Sequence, residues 1–230
     1  MNDYWKILQN TALFNGIARG ELEQMLRCLH ASQKRFSAGD TILLAGQPAD
    51  RVGILLEGGA QVVREEFSGA RTIVTGLEPG DLFAEAFACA SGGERTLPVS
   101  VTATADSAVL LIDYRRIVTA CPSACVFHTR LIQNMLAVLA DKNLLLNRRL
   151  RHLSKRTTRE KLLSYLSEQA ALHHSAEFDI PFDRQGLADY LCVERSAMSV
   201  ILSKLRDEGI LEADRSHFRL CRPQEDGELF

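Results

Sequence analysis

Between Asp183 and Gly209 two apolar patterns of helical period lie almost end to end, separated only by Leu191-Cys192-Val193-Glu194. So few residues cannot form an ordinary loop, and the chain must fold one helix against the next through a tight corner. Asp183 can cap the first helix by accepting from the free amides of its opening turn. Leu187, Ala188 and Leu191 then face inward, and Ala188 is small, as close helix contact requires. Val193 is suited to plug the corner. The second helix is expected from Arg195 to about Glu208, with Met198, Ile201, Leu202 and Leu205 inside and Gly209 as its stop.

The outer face of that second helix carries Arg195, Ser196 and Ser199, with Lys204 and Arg206 further along. The next segment, "ILEADRSHFRL", alternates as a hairpin turning near Asp214 to Ser216. Helix, tight turn, helix, hairpin is a winged helix-turn-helix, which holds its second helix clear of the body so that its first residues can enter a major groove. Arg195 can offer a fork to guanine, and the Ser196 and Ser199 hydroxyls can meet bases or phosphates. Arg184 and Gln185 open the first helix, where phosphate is commonly held, and Lys204 extends the basic surface. Upstream, Arg148, Arg149, Arg151, Lys155, Arg156, Arg159 and Lys161 stand against one acid, Glu160, a cluster that suits a surface facing phosphates.

The remaining sequence has two other textures. From Phe36 to Asp113, short runs rich in Val, Ile and Leu alternate with Gly-containing turns, the pattern of an antiparallel sandwich or roll. From Pro122, "FHTRLIQNMLAVLADKNLLLNRRLRHL" contains no Gly or Pro and can run as one long helix. Leu131, Met135, Val138 and Leu145 approximate a seven-residue repeat, with Leu139, Leu146 and Leu150 beside it; the stripe is broad enough both to pack on the roll and to form the expected seam with a second copy. The fold class is therefore α+β: an N-terminal antiparallel β-roll, a long dimerisation helix and a C-terminal winged helix-turn-helix. Expected boundaries are 1–118, 119–153, 154–223 and a tail at 224–230. The 230 residues carry a formal net charge of -2, which neither requires nor excludes a nucleic-acid partner. No apolar run is long enough to span a membrane, and the N-terminus lacks a signal layout, which points to the cytoplasm. The six scattered cysteines then read as reduced thiols.

In this order the parts resemble transcription regulators of the cyclic AMP receptor/fumarate-nitrate regulator (CRP/FNR) family. "FSAGDTILLAGQPADRVGILLEGGAQVV", "LEPGDLFAEAF" and "VTATADSAVLLID" resemble its β-roll, Pro122 to Leu153 its dimerisation helix, and Asp183 to Leu220 its DNA-binding domain. The resemblance implies a homodimer on a two-fold site in double-stranded DNA. It implies a small-molecule effector between roll and long helix that controls the recognition helices, with the joint Leu153-Ser154-Lys155 turning the DNA-binding domain. RNA polymerase is a further candidate partner.

In cyclic-AMP-binding members a Phe-Gly-Glu turn holds the ribose hydroxyl and an Arg-Ser pair grips the phosphate. Phe83-Ala84-Glu85 and Arg95-Thr96 stand at those places. Three departures count against cyclic AMP as effector. Ala84 replaces glycine, "TLPVSVTA" is longer than the corresponding segment, and Leu144-Leu145-Leu146-Asn147 replaces the Thr-Ser pair that meets adenine. Leu146 and Asn147 would face the ligand instead. Cys121, Cys125 and His128 form the one local cluster for a redox or metal role, without a fourth ligand nearby; no metal site is assigned. An enzyme on a jelly-roll domain would need histidine ligands in the roll, and Phe36 to Asp113 contains none. An effector-binding scaffold without DNA binding would leave the exposed helix and hairpin unexplained.

Overall fold

The computed structural model describes residues 4–65, 71–89, 96–118 and 126–221. The chain divides into two compact units, Met1–Asp141 and Lys142–Phe230. In the first, helices α1 (Trp5–Asn10) and α2 (Arg19–Cys28) flank a 3-10 turn, Ala12–Phe14. Strands β1 (Ser32–Phe36), β2 (Thr41–Leu43), β3 (Arg51–Glu57), β4 (Ala60–Glu65), β5 (Arg71–Leu77), β6 (Leu82–Phe83), β7 (Ser100–Ala103) and β8 (Ser107–Asp113) follow, with the short helices α3 (Glu85–Cys89) and α4 (Tyr114–Val118). The strands form two antiparallel sheets in the orders β1-β8-β3-β6 and β2-β7-β4-β5.

The near-continuous apolar runs of β3 and β8 are explained by burial on both faces. Val52, Ile54 and Leu56 of β3, with Ala108, Leu110 and Ile112 of β8, pack beneath the helices. The alternate residues Leu55, Val109 and Leu111 point the other way, into the roll interior with Ile42, Ala60, Leu77, Phe83, Val101 and Ala103. Side chains alternate along a strand, so each run feeds two cores. Each fully buried Leu, Ile or Val contributes roughly 1.5–3 kcal/mol. Gly53 is the exception in β3: a Cβ there would lie 2.1 Å from the Phe83 ring, which fills its place.

The long helix is α5 (Val126–Leu153). Leu131, Met135 and Val138, expected on the dimer seam, are instead buried in the core of their own chain with Leu22, Met25 and Ile117. Asn134 strengthens this docking by donating to the carbonyls of Leu13 and Asn15, both at 2.9 Å. Leu145 is exposed, but at about 100° per residue it falls on the same side of the helix as these three. The exposed Leu136, Leu146 and Leu150 lie on another stripe.

The second unit contains α6 (Thr158–His173), β9 (Glu177–Asp179), α7 (Arg184–Leu191), α8 (Arg195–Asp207), β10 (Leu211–Asp214) and β11 (His217–Leu220). Thr157 opens α6 with a reciprocal cap: its hydroxyl accepts from the Glu160 amide and the Glu160 carboxylate accepts from its own. Strand β9 completes a β10-β11-β9 antiparallel sheet.

Candidate nucleic-acid interface

The corner closes as its residues dictate. Asp183 Oδ1 accepts from the Gly186 amide at 2.7 Å and starts α7. Cys192 ends it in the left-handed region, φ 50° and ψ 56°, and its amide bonds back to Ala188 and Asp189. Val193 is half-buried, and Glu194 resumes extended backbone ahead of α8. Leu187, Ala188, Leu191, Met198, Leu202 and Leu205 form one core with Leu162, Leu166, Leu211 and Phe218. This core fixes α8 with its opposite face outward. Gly209, φ +67°, stops the helix and its amide donates to the Arg206 carbonyl at 2.9 Å.

Arg195, Ser196, Ser199 and Lys204 are all exposed on α8. No carboxylate occurs from Arg195 to Arg206. The Ser199 hydroxyl donates to the Arg195 carbonyl at 2.9 Å, and Ser196 lies 3.4 Å from the Glu194 carboxylate. Both serines therefore offer lone pairs outward more readily than protons. Gln185 is exposed, with its amide donating to Asp189 at 2.8 Å.

Arg184, a candidate phosphate contact, packs against the wing. Its guanidinium lies 5.0 Å over the Phe218 ring of β11, and Nη1 is buried without a hydrogen-bond partner. Burial, with Arg206 beside it, holds the group below the ordinary arginine range against the opposite pull of Asp214. It pins the first helix of the motif to the wing, an association that no local pattern announces.

The basic segment is diverted in the same way. Arg148 pairs with Glu168 at 3.7 Å, and Arg149 donates to the Tyr190 carbonyl and sits 5.1 Å over that ring. Arg159 makes a two-pronged contact with Glu208 at 3.0 and 2.6 Å, and Lys161 donates to the Leu191 carbonyl. These four cations hold the unit together. Arg151, Lys155 and Arg156 remain exposed.

His152, unassigned in the sequence, is buried at the end of α5. One ring nitrogen meets Glu168 Oε2 at 2.6 Å and the other meets the Ser164 hydroxyl at 2.9 Å. Burial lowers its pKa despite Glu168, and Arg151 and Lys155 add to the depression. The ring is accordingly neutral near pH 7, with Nε2–H donating to Glu168 and Nδ1 accepting from Ser164.

In the roll, Phe83 is a core residue, and Ala84 takes φ +64°, the left-handed backbone that glycine adopts without strain. Glu85 is buried at the start of α3. Thr96 is exposed and forms a β-bridge with Pro48; Arg95 lies outside the described residues. Leu146 and Asn147 are exposed on α5, with Asn147 donating to Asn143 at 2.7 Å. Cys121 and Cys125 also lie outside the described residues, while His128 Nε2 is 2.7 Å from the Arg116 carbonyl. Among the described residues no group of three or more His, Cys, Asp or Glu could hold a metal ion, and no helix is long and apolar enough to cross a membrane.

The chain matches the cyclic nucleotide-binding domain family over residues 33–122 and the Crp-like helix-turn-helix domain family over residues 160–225. It is 24% identical to the cAMP-activated global transcriptional regulator CRP of Haemophilus influenzae, covering 80% of this chain and 81% of that one. It is 27% identical to the transcriptional activator protein FnrL of Cereibacter sphaeroides, covering 77% and 71%. A CooA mutant from Carboxydothermus hydrogenoformans shares the fold with a TM-score of 0.56 at 20% identity, over 94% of this chain and 93% of that one. The c-di-GMP-responsive global regulator CLP of Xanthomonas campestris does so with a TM-score of 0.52 at 18% identity, over 90% and 100%. With a cyclic nucleotide-binding fold ahead of a Crp-like helix-turn-helix, and relatives that align across both, the chain belongs to the CRP/FNR family of DNA-binding transcription regulators.

Proposed function

We propose that the protein is a homodimeric, sequence-specific regulator that reads DNA with α8 under the control of a small molecule held by the β-roll. The observation that carries this reading is the outer face of α8. It is exposed, free of carboxylates for twelve residues and headed by Arg195. The direct test is a random-sequence DNA selection followed by titration of Arg195→Ala. Loss of preference at one base pair per half-site, at roughly 1–3 kcal/mol, supports a guanine contact. Equal weakening on every sequence makes Arg195 a phosphate contact instead.

The partner surface is the stripe Leu136, Leu139, Asn143, Leu146, Leu150 and Leu153, whose alternating spacing of three and four residues is that of coiled-coil a and d positions, with Leu139 also half-buried against the core of its own chain. Asn143 at a central a position fixes register at a cost in stability. Asn143→Leu is expected to tighten the assembly and admit higher oligomers in analytical ultracentrifugation. A wild-type mass of one chain overturns the dimer.

The effector is read as other than cyclic AMP. Ala84 carries a Cβ in a glycine-like conformation, at the turn where backbone would approach a cyclic nucleotide. Calorimetric titration with cyclic AMP, with Arg95→Ala as control, tests this. Absence of heat supports it, and micromolar binding lost in the variant refutes it.

A further inference from the structure

We propose that Val200 is a specificity-determining residue, reading the C5-methyl group of a thymine in each half-site; this rests on the assignment of α8 as the DNA-reading helix. In residues 158–221 only Leu172 and Val200 are large apolar side chains left exposed, and Val200 is 55% exposed. At 100° per residue it stands roughly opposite Met198, Leu202 and Leu205, at the middle of the outward face. Its neighbours one turn away are Ser196 and Ser203, short enough to leave both methyl groups proud of the helix, and Lys204.

A β-branched residue at an exposed helical position is unfavourable on its own account, because it loses rotamer freedom without gaining packing. In the major groove the same side chain has a matching surface: thymine is the base that presents a methyl group there. Ser196 and Ser199 direct their hydroxyl protons to the Glu194 carboxylate and the Arg195 carbonyl, so the exposed surface of α8 combines a cationic donor at its head, acceptor oxygens and one apolar contact. Arg195 and Val200 are five residues apart, about 7.5 Å along the helix, which spans about two base pairs. The preferred half-site should therefore hold a thymine about two base pairs from the guanine met by Arg195.

The test uses the full chain and the DNA sequence it selects. Each thymine of the half-site is replaced in turn by deoxyuridine, which removes only the methyl group. At one position wild-type affinity is expected to fall about fourfold per half-site, the effect of losing one buried methyl. Val200→Ala, an exposed change checked for folding by circular dichroism, should bind thymine and uracil duplexes equally. Wild-type binding that is indifferent to uracil at every position, with base preference still dependent on Arg195, overturns the Val200 assignment alone. Absence of any sequence preference overturns the recognition-helix reading as well.

Discussion

Replacing His152 with alanine should destabilise the second unit more than any change on its surface. The imidazole is 1% exposed and bonded at both nitrogens. A hydrogen bond to a charged acceptor contributes about 1.5–3 kcal/mol and the Ser164 bond about 1 kcal/mol. The edge-on contact with Tyr165, ring centres 5.7 Å apart, contributes about 0.5–1 kcal/mol. The expected loss is about 3–5 kcal/mol, before any cost of the cavity left behind. The only tryptophan, Trp5, belongs to the first unit, so its fluorescence would miss this change. Amide hydrogen exchange across α6 to α8 reads it directly, as the free energy of opening for the slowest amides. A fall below about 1 kcal/mol would refute the view that this contact ties the end of α5 to the DNA-reading unit.

The same residue sets a pH dependence. Its folded pKa is depressed, so the unfolded chain takes up the proton first as pH falls. The associated stability is fully present above about pH 6.5, the ordinary histidine value, and is lost as pH drops through the folded pKa. His217 works in the opposite sense. Hydrogen bonds to Asp179 and Glu177 raise its pKa, so its contribution is present below about pH 6.5 and fades as pH rises through the folded value. Exchange-derived stability measured from pH 5 to 8 should thus rise more steeply with pH in His217→Asn and flatten in His152→Ala. Unchanged profiles in both would mean that neither histidine is linked to folding.

Three further outcomes are expected. Arg159→Ala and Arg184→Ala should leave the slope of log affinity against log salt unchanged, because one guanidinium is engaged with Glu208 and the other with Phe218; a drop of about 0.9 per half-site would mark a phosphate contact. Gly53→Ala should lower the melting temperature through overpacking of at least about 2 kcal/mol, with Phe83→Leu in the same chain restoring part of it. Cys192→Gly should stabilise the second unit by up to about 1 kcal/mol by relieving left-handed backbone at a side-chain-bearing residue, and unchanged unfolding would show that the corner stores no strain.

Legibility in the sequence followed the range of the interactions. The corner at Cys192 was visible because every determinant lies in one short segment, from the cap at Asp183 through an inward stripe and a plug to the stop at Gly209. Strands β3 and β8 were visible because burial on both faces makes them conspicuously apolar. Strand β1, Ser32-Gln33-Lys34-Arg35-Phe36, was not, because it lies at a sheet edge against β8 and carries little apolar pattern. The cations between Arg148 and Lys161 looked alike in sequence. Four of them were committed by distant partners, Glu168, Tyr190, Leu191 and Glu208, which no local spacing reveals.

The long helix illustrates the deeper limit. Its leucines form two apolar stripes, and periodicity alone cannot tell the one that docks on the chain's own roll from the one left for a partner. The position that breaks the tie is polar. Asn143 is exposed and accepts from Asn147 at 2.7 Å; in the proposed coiled coil a polar residue at this central position would select register and strand number. The stripe that contains it, Leu136 to Leu153, is the one whose leucines 136, 146 and 150 stand exposed. In the proposed seam and on the proposed reading helix, Asn143 and Val200 invert the usual signal: a polar residue in an apolar stripe, and an apolar residue on a polar face. In each case the exception, set against a surface already explained by packing, narrows the partner further than the regular pattern around it.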